Sequence, residues 1–193
     1  MNFVFSALRI LAIALCPQAG AAQEQPPSEI AERVELCVTC HGTDGIPVNK
    51  DSPIIAGQHM FYLLTQLKDF RAERRSSEIM TPIAKDMSDE EMKALATYFS
   101  KQPWPAYRFT ASEEDIIRAQ SLAVEGQCTQ CHLGGMVGDS RNPRLSKQTV
   151  EYLTKTTADL RDDTRKNAAA MAAIVRGWSD EDIAAMAHYL AGL

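Results

Sequence analysis

Two five-residue segments constrain this chain more than anything else in it: Cys37-Val38-Thr39-Cys40-His41 and Cys128-Thr129-Gln130-Cys131-His132. Two thiols three residues apart on a helical turn can both reach the vinyl groups of one haem and form thioethers. The histidine that follows then turns its imidazole to the iron as proximal ligand. Cys-x-x-Cys-His is the attachment signature of covalently bound haem c. A disulfide or redox pair would account for one Cys-x-x-Cys, and a four-thiolate zinc for two. Neither needs a histidine directly after both pairs. Cys37, Cys40, Cys128 and Cys131 are therefore read as the thioether residues of two haem c groups, with His41 and His132 as proximal iron ligands.

The fifth cysteine, Cys16, falls in a leader. Residues 1–22 run from an apolar core, Leu8 to Leu15, into Ala19-Gly20-Ala21-Ala22, the layout of a secretory signal peptide with a small-residue cleavage site. The basic residue Arg9 sits late, and an uncleaved anchor is the alternative. Against that alternative, the apolar run is shorter than the ~20 residues of a bilayer span. Cleavage removes Arg9 and no acid, so the formal charge moves from −5 to 19 − 25 = −6. An acidic balance of this kind carries no nucleic-acid footprint.

The chain is a tandem duplication. Cys37 maps to Cys128 at an offset of 91; Pro53, Gln58, Tyr62, Asp69, Arg71 and Arg75 map to Pro143, Gln148, Tyr152, Asp159, Arg161 and Arg165 at 90; Met80, Ile83, Ser88 and Tyr98 map to Met171, Ile174, Ser179 and Tyr189 at 91 again. The repeat selects the sixth ligands. Methionine sulfur pairs with histidine on electron-transfer haem iron and raises its potential. Of the methionines past the first motif, Met60, Met87, Met92, Met136 and Met186 face other residue types in the opposite copy. Only Met80 and Met171 are methionine in both, each 39 residues after its haem histidine. They are read as the distal axial ligands. His59 and His188 face Thr149 and Thr97, so neither has a duplicated role. Arg71, Arg74 and Arg75 read as solvated or as facing haem propionates, and Tyr98 and Tyr189 as packing residues near the haem.

Apolar spacing is helical almost throughout, so the fold is expected to be all-α. Helices are predicted over Glu29–Val38, Gln58–Ala72, Ser88 to Phe99, from Ser112 toward the second motif, over Thr149–Leu160, and from Ser179 to near Leu190. Ser88-Asp89-Glu90-Glu91, Ser112-Glu113-Glu114-Asp115 and Ser179-Asp180-Glu181-Asp182 are N-terminal capping patterns. Gln102-Pro103-Trp104-Pro105-Ala106 breaks the helical pattern. The organisation expected is a signal peptide (1–22), an N-terminal domain (23–101), a linker (102–111) and a C-terminal domain (112–193).

With its paired Cys-x-x-Cys-His motifs, the Pro53 to Gln58 segment, a distal Met followed shortly by Ile-Ala and a Ser-Asp final helix, the chain resembles the cytochrome c4 family over essentially its whole mature length. The resemblance implies two tandem class I cytochrome c domains, each a small helical fold wrapped around a covalent haem, related by a pseudo-twofold axis with propionate edges near the interface. It implies an electron carrier of the bacterial periplasm, sometimes membrane-associated. Its redox partners would be a terminal oxidase, a cytochrome complex or a dehydrogenase. The second copy departs from the family pattern: it lacks the segment's glycine, and Leu133 stands where the first copy has Gly42. Similar chains serve as the haem subunit of flavocytochrome c sulfide dehydrogenases. A dihaem enzyme, such as a peroxidase or a thiosulfate-oxidising cytochrome, needs one exchangeable axial ligand, which two matched methionines argue against.

Overall fold

Serine caps decide where three of the longest helices begin. Ser88, Ser112 and Ser179 each accept a hydrogen bond from the backbone N–H three residues on, and three acidic residues follow in each first turn, against the positive end of the helix dipole. The computed structural model describes residues 25–193, so the leader, its cleavage site and Cys16 lie outside the described residues. The helices are α1 (Ala31–His41), α2 (Met60–Arg71), α3 (Met80–Lys85), α4 (Asp89–Lys101), α5 (Glu113–Glu125), α6 (Thr129–His132), α7 (Val150–Arg161), α8 (Ala169–Val175) and α9 (Asp180–Gly192), with 3-10 turns at Ser28–Ile30 and Gly134–Met136. The only β pairing among the described residues is an isolated bridge between Asp139 and Asn142.

The two copies share one plan. Helix α2 packs on α3 and α4, and α7 packs on α8 and α9. Val34, Phe70, Met92, Leu95 and Phe99 form the heart of the first core; Ala119, Leu153, Met186, Ala187 and Leu190 form that of the second. Tyr98 and Tyr189 pack against these cores. Helices α3 and α8, each under eight residues, were not expected: they are too short to show a helical period. They carry Met80 and Met171.

The copies diverge at the haem motifs. In the first, α1 runs through the whole motif to His41. In the second, α5 stops at Glu125, Gln127 takes a left-handed φ of 51°, and the helix resumes only as α6. The residue after each histidine must turn sharply. Gly42 does so at φ 82°, and a Cβ there would stand 1.8 Å from the Ile46 carbonyl oxygen. Leu133 makes the turn at φ 59° and ψ 176°, a region that essentially only glycine occupies without strain. Residues 102–112 connect α4 to α5 as a packed strap. Pro105 is buried, the Arg144 guanidinium lies 4.7 Å from the Trp104 ring centroid, and Tyr107 and Phe109 join the second core.

Leu133→Gly is expected to stabilise the C-terminal domain by about 1–2 kcal/mol by relieving this backbone strain, and Gly42→Ala to destabilise the N-terminal one. Denaturant unfolding of the holoprotein followed at the haem absorbance checks both signs.

Candidate haem-binding site

One continuous cavity of about 1690 Å³ runs between the two cores. A pocket for a single small ligand typically holds about 300–1,000 Å³, so this space suits more than one group. Its walls include Cys37, Cys40, His41 and Met80 from the first copy and Cys128, Cys131, His132 and Met171 from the second. Among the described residues Cys37, Cys40, Cys128 and Cys131 form no disulfide. Burial raises the Cys37 thiol to about 11 in the polypeptide without haem and pushes the Cys128 thiol upward too. Among the described residues no group of three or more His, Cys, Asp or Glu is placed to hold a metal ion, and the two cysteine pairs belong to different cores.

The two motif histidines are buried and oriented alike. His41 Nδ1 donates to the Pro53 carbonyl at 2.8 Å, and His132 Nδ1 to the Pro143 carbonyl at 3.0 Å. That fixes the tautomer and leaves Nε2 as the ring atom available to iron. Burial lowers the pKa of both imidazoles, so both are held in the neutral form that a metal requires. Met87, Met136 and Met186 also border the cavity but sit in the cores, each at most 5% exposed. Met92 is fully buried away from it. The duplication, not the lining, singles out Met80 and Met171.

Residues outside the cavity wall have other partners. His59 Nε2 bonds the Val137 carbonyl at 2.9 Å and His188 Nδ1 the Asp115 carboxylate at 2.9 Å. Tyr98 and Tyr189 pack against the cores that carry Cys37 and Cys128, off the wall of the main cavity. The arginines divide. Arg71 bonds the Met87 carbonyl and Asp89, and Arg161 the Trp178 carbonyl and Asp180, stapling α2 and α7 to the starts of α4 and α9. Neither Arg71 nor Arg161 lines the cavity. Arg74 pairs with the buried Asp69.

Arg75 and Arg165 instead line the cavity where the copies meet. Arg75 donates to Tyr152 Oη at 3.0 Å, and Arg165 to Tyr62 Oη at 3.3 Å, each reaching the tyrosine of the opposite copy. Burial pushes the Tyr152 phenol up, but the two guanidinium groups outweigh it and bring the phenol below its ordinary range. Such an electropositive wall suits the carboxylates of a haem edge. A second pair of contacts crosses the seam symmetrically, from the buried Gln58 to Arg144 and from the buried Gln148 to Ile54. Sequence reasoning registered Gln58 and Gln148 as repeat partners without a role; their recurrence in both copies was the available signal.

Residues 29–102 match the family model described as cytochrome c, and residues 105–190 the one described as cytochrome C oxidase, cbb3-type, subunit III. The chain is 34% identical to cytochrome c4 of Thiocapsa roseopersicina, over 93% of this chain and 96% of that one. The chain belongs to the cytochrome c4 family. Another relative, 35% identical over 81% of this chain and 78% of its own, is a thiosulfate dehydrogenase electron acceptor of Stutzerimonas stutzeri. Reduced recombinant cytochrome c4 from Pseudomonas stutzeri superposes with a TM-score of 0.77 at 28% identity, covering 87% of this chain and 99% of that one.

As a cytochrome c4 family member, the protein consists of two tandem cytochrome c domains with two covalently bound haem c groups. The residues present fit that cofactor: two Cys-x-x-Cys pairs, two oriented imidazoles and one largely apolar space between two small cores. Each domain holds fewer than a hundred residues, where a core by itself is marginal. Substituting all four motif cysteines by alanine is expected to give a polypeptide without haem, with collapsed amide dispersion and reduced helix content. Two-dimensional amide NMR and far-ultraviolet circular dichroism of that variant are the check; a native-like dispersed spectrum would mean the cores fold unaided.

Proposed function

We propose that this protein is a periplasmic dihaem relay that passes single electrons between respiratory partner proteins. The observation that supports it most is the pair of motifs opening on one continuous cavity, each histidine steered by its own proline carbonyl. Cys37 with Cys40, and Cys128 with Cys131, would tether the two haems. His41 with Met80, and His132 with Met171, would bind the irons axially. The bound haems supply reversible one-electron exchange, with methionine ligation raising the potential. With a histidine and a methionine committed to each iron, neither site would keep a position open for a substrate, and the chain itself would carry out no bond chemistry. Arg75 and Arg165 would hold propionate carboxylates at the seam and bring the two haem edges together there.

The acceptor is proposed to be a terminal oxidase or a cytochrome complex. For the donor, a dehydrogenase is favoured by a specific asymmetry. Leu36, Phe61 and Ile79 lie on the rim of the first haem cavity and are 45%, 50% and 50% exposed. At the same repeat positions the second copy carries Gln127, Glu151 and Ala170. At these three positions the first copy presents large apolar side chains and the second two polar residues and an alanine, although Ile174 on the second wall is also partly exposed. A more apolar rim on one domain than on the other fits two different partners. The relative that is a thiosulfate dehydrogenase electron acceptor supports the same reading. No helix among the described residues is long and apolar enough to cross a membrane.

Anaerobic optical titration of the holoprotein is expected to resolve two one-electron steps from two haems per chain. Met80→His and Met171→His should each lower one step and leave the other. Met80→Ala should let the ferrous protein bind carbon monoxide at one haem, whereas Met87→Ala, changed at a methionine that also borders the cavity, should not. A wild-type protein with one high-spin iron, or one that binds carbon monoxide readily, would overturn the carrier reading.

A further inference from the structure

Each motif histidine bonds a peptide unit whose other face is held by the opposite domain. The carbonyl of the Pro53–Ile54 peptide accepts from His41 Nδ1 at 2.8 Å. The N–H of that same peptide, on Ile54, donates to Gln148 Oε1 at 2.8 Å, and Gln148 Nε2 donates back to the Ile54 carbonyl at 3.0 Å. The second copy repeats this with the roles exchanged. His132 Nδ1 donates to the Pro143 carbonyl at 3.0 Å; the N–H of that peptide, on Arg144, donates to Gln58 Oε1 at 2.9 Å; and Gln58 Nε2 donates to the Arg144 carbonyl at 3.0 Å. Gln58 and Gln148 are 4% and 3% exposed, and Ile54 is 1% exposed. Each glutamine oxygen also accepts the next backbone N–H, from His59 or Thr149, at 3.0 Å, which locks its amide orientation.

From this geometry we propose that Gln148 is a positioning residue for the iron of the N-terminal domain, and Gln58 for that of the C-terminal domain. The proposal rests on the reading of His41 and His132 as iron ligands. Hydrogen bonds in series through one amide polarise each other. A glutamine oxygen drawing on the peptide N–H makes the proline carbonyl a stronger acceptor. The carbonyl then draws more strongly on the histidine Nδ1–H, and the imidazole gains basicity at Nε2. Partners one step removed from a metal ligand tune its basicity in this way. A more basic imidazole favours the oxidised iron, so each glutamine lowers the potential of the haem in the other domain. Each domain therefore sets the other's potential as well as covering it.

The test is made on the holoprotein with both haems resolved by redox titration, and with the ferrous histidine ring N–H signals assigned by nitrogen-15 NMR. Gln148→Met keeps the length and loses both hydrogen-bonding atoms. It is expected to raise the potential of the N-terminal haem and move the His41 Nδ1–H signal upfield, with the C-terminal haem unmoved. Gln58→Met should do the reverse. Gln148→Glu keeps an acceptor for the Ile54 N–H and loses only the donor, so it should not raise the N-terminal potential. Equal shifts at both haems, a shift confined to the mutated domain, or the same rise in the Met and Glu variants would reduce the glutamines to seam packing and overturn the proposal. Failure of the ligand reading shows separately, as wild-type protein in which neither His41 nor His132 has an iron-bound Nε2.

Discussion

The hydrogen bond from each motif histidine to a proline carbonyl joins the parts of this molecule that have to act together. It fixes one ring nitrogen, which leaves the other for iron. It ties the end of α1 or α6 to the segment that leads into α2 or α7. Through the peptide it terminates on, it reaches the opposite domain at Gln148 or Gln58. The cavity wall, the motif and the domain seam therefore share one connected polar path, set in surroundings that are otherwise largely apolar.

Duplication explains the form of the seam. When one sequence is present twice, a contact that a residue makes across a twofold axis is returned by its counterpart, as in the isologous interface of a homodimer. Gln58 and Gln148 do this, and so do the Arg75–Tyr152 and Arg165–Tyr62 pairs. Where the copies have diverged, the symmetry lapses. Asn167 donates to Gln66 and to the buried Asp69 across the seam, while its repeat position in the first copy is Ser76. Gln66 accepts from Arg75, Arg165 and Asn167, while its counterpart Thr156 accepts from Arg165 within its own copy. Two haem sites built from the same parts thus sit in different electrostatic surroundings.

Local chemistry was legible in the sequence because it is carried by short motifs and by spacing. The attachment motifs need only five consecutive residues, the serine caps only four, and the helix-breaking prolines after Gln102 act on their own backbone. The choice of Met80 and Met171 needed a longer comparison but still only the register of the repeat. The short helices α3 and α8 escaped notice, because six or seven residues cannot display a period. Leu133 marked a departure in the sequence, yet its strain became apparent only from its backbone angles.

Arg71 and Arg75 show where local reading ended. Both recur in the second copy, and both are cations on or just after α2, so sequence treats them alike. In the structure Arg71 points to the start of α4 and closes on Asp89, while Arg75 lies past the helix end, at the seam, beside a tyrosine of the other domain. By itself the sequence pointed to the attachment motifs, the helical class and the twofold repeat, since the first two rest on residues near one another along the chain and the third on the register of one copy against the other. Only the tertiary structure decided which side chains cross between the copies, because Gln148 and Ile54, or Arg165 and Tyr62, are brought together by the packing of whole domains.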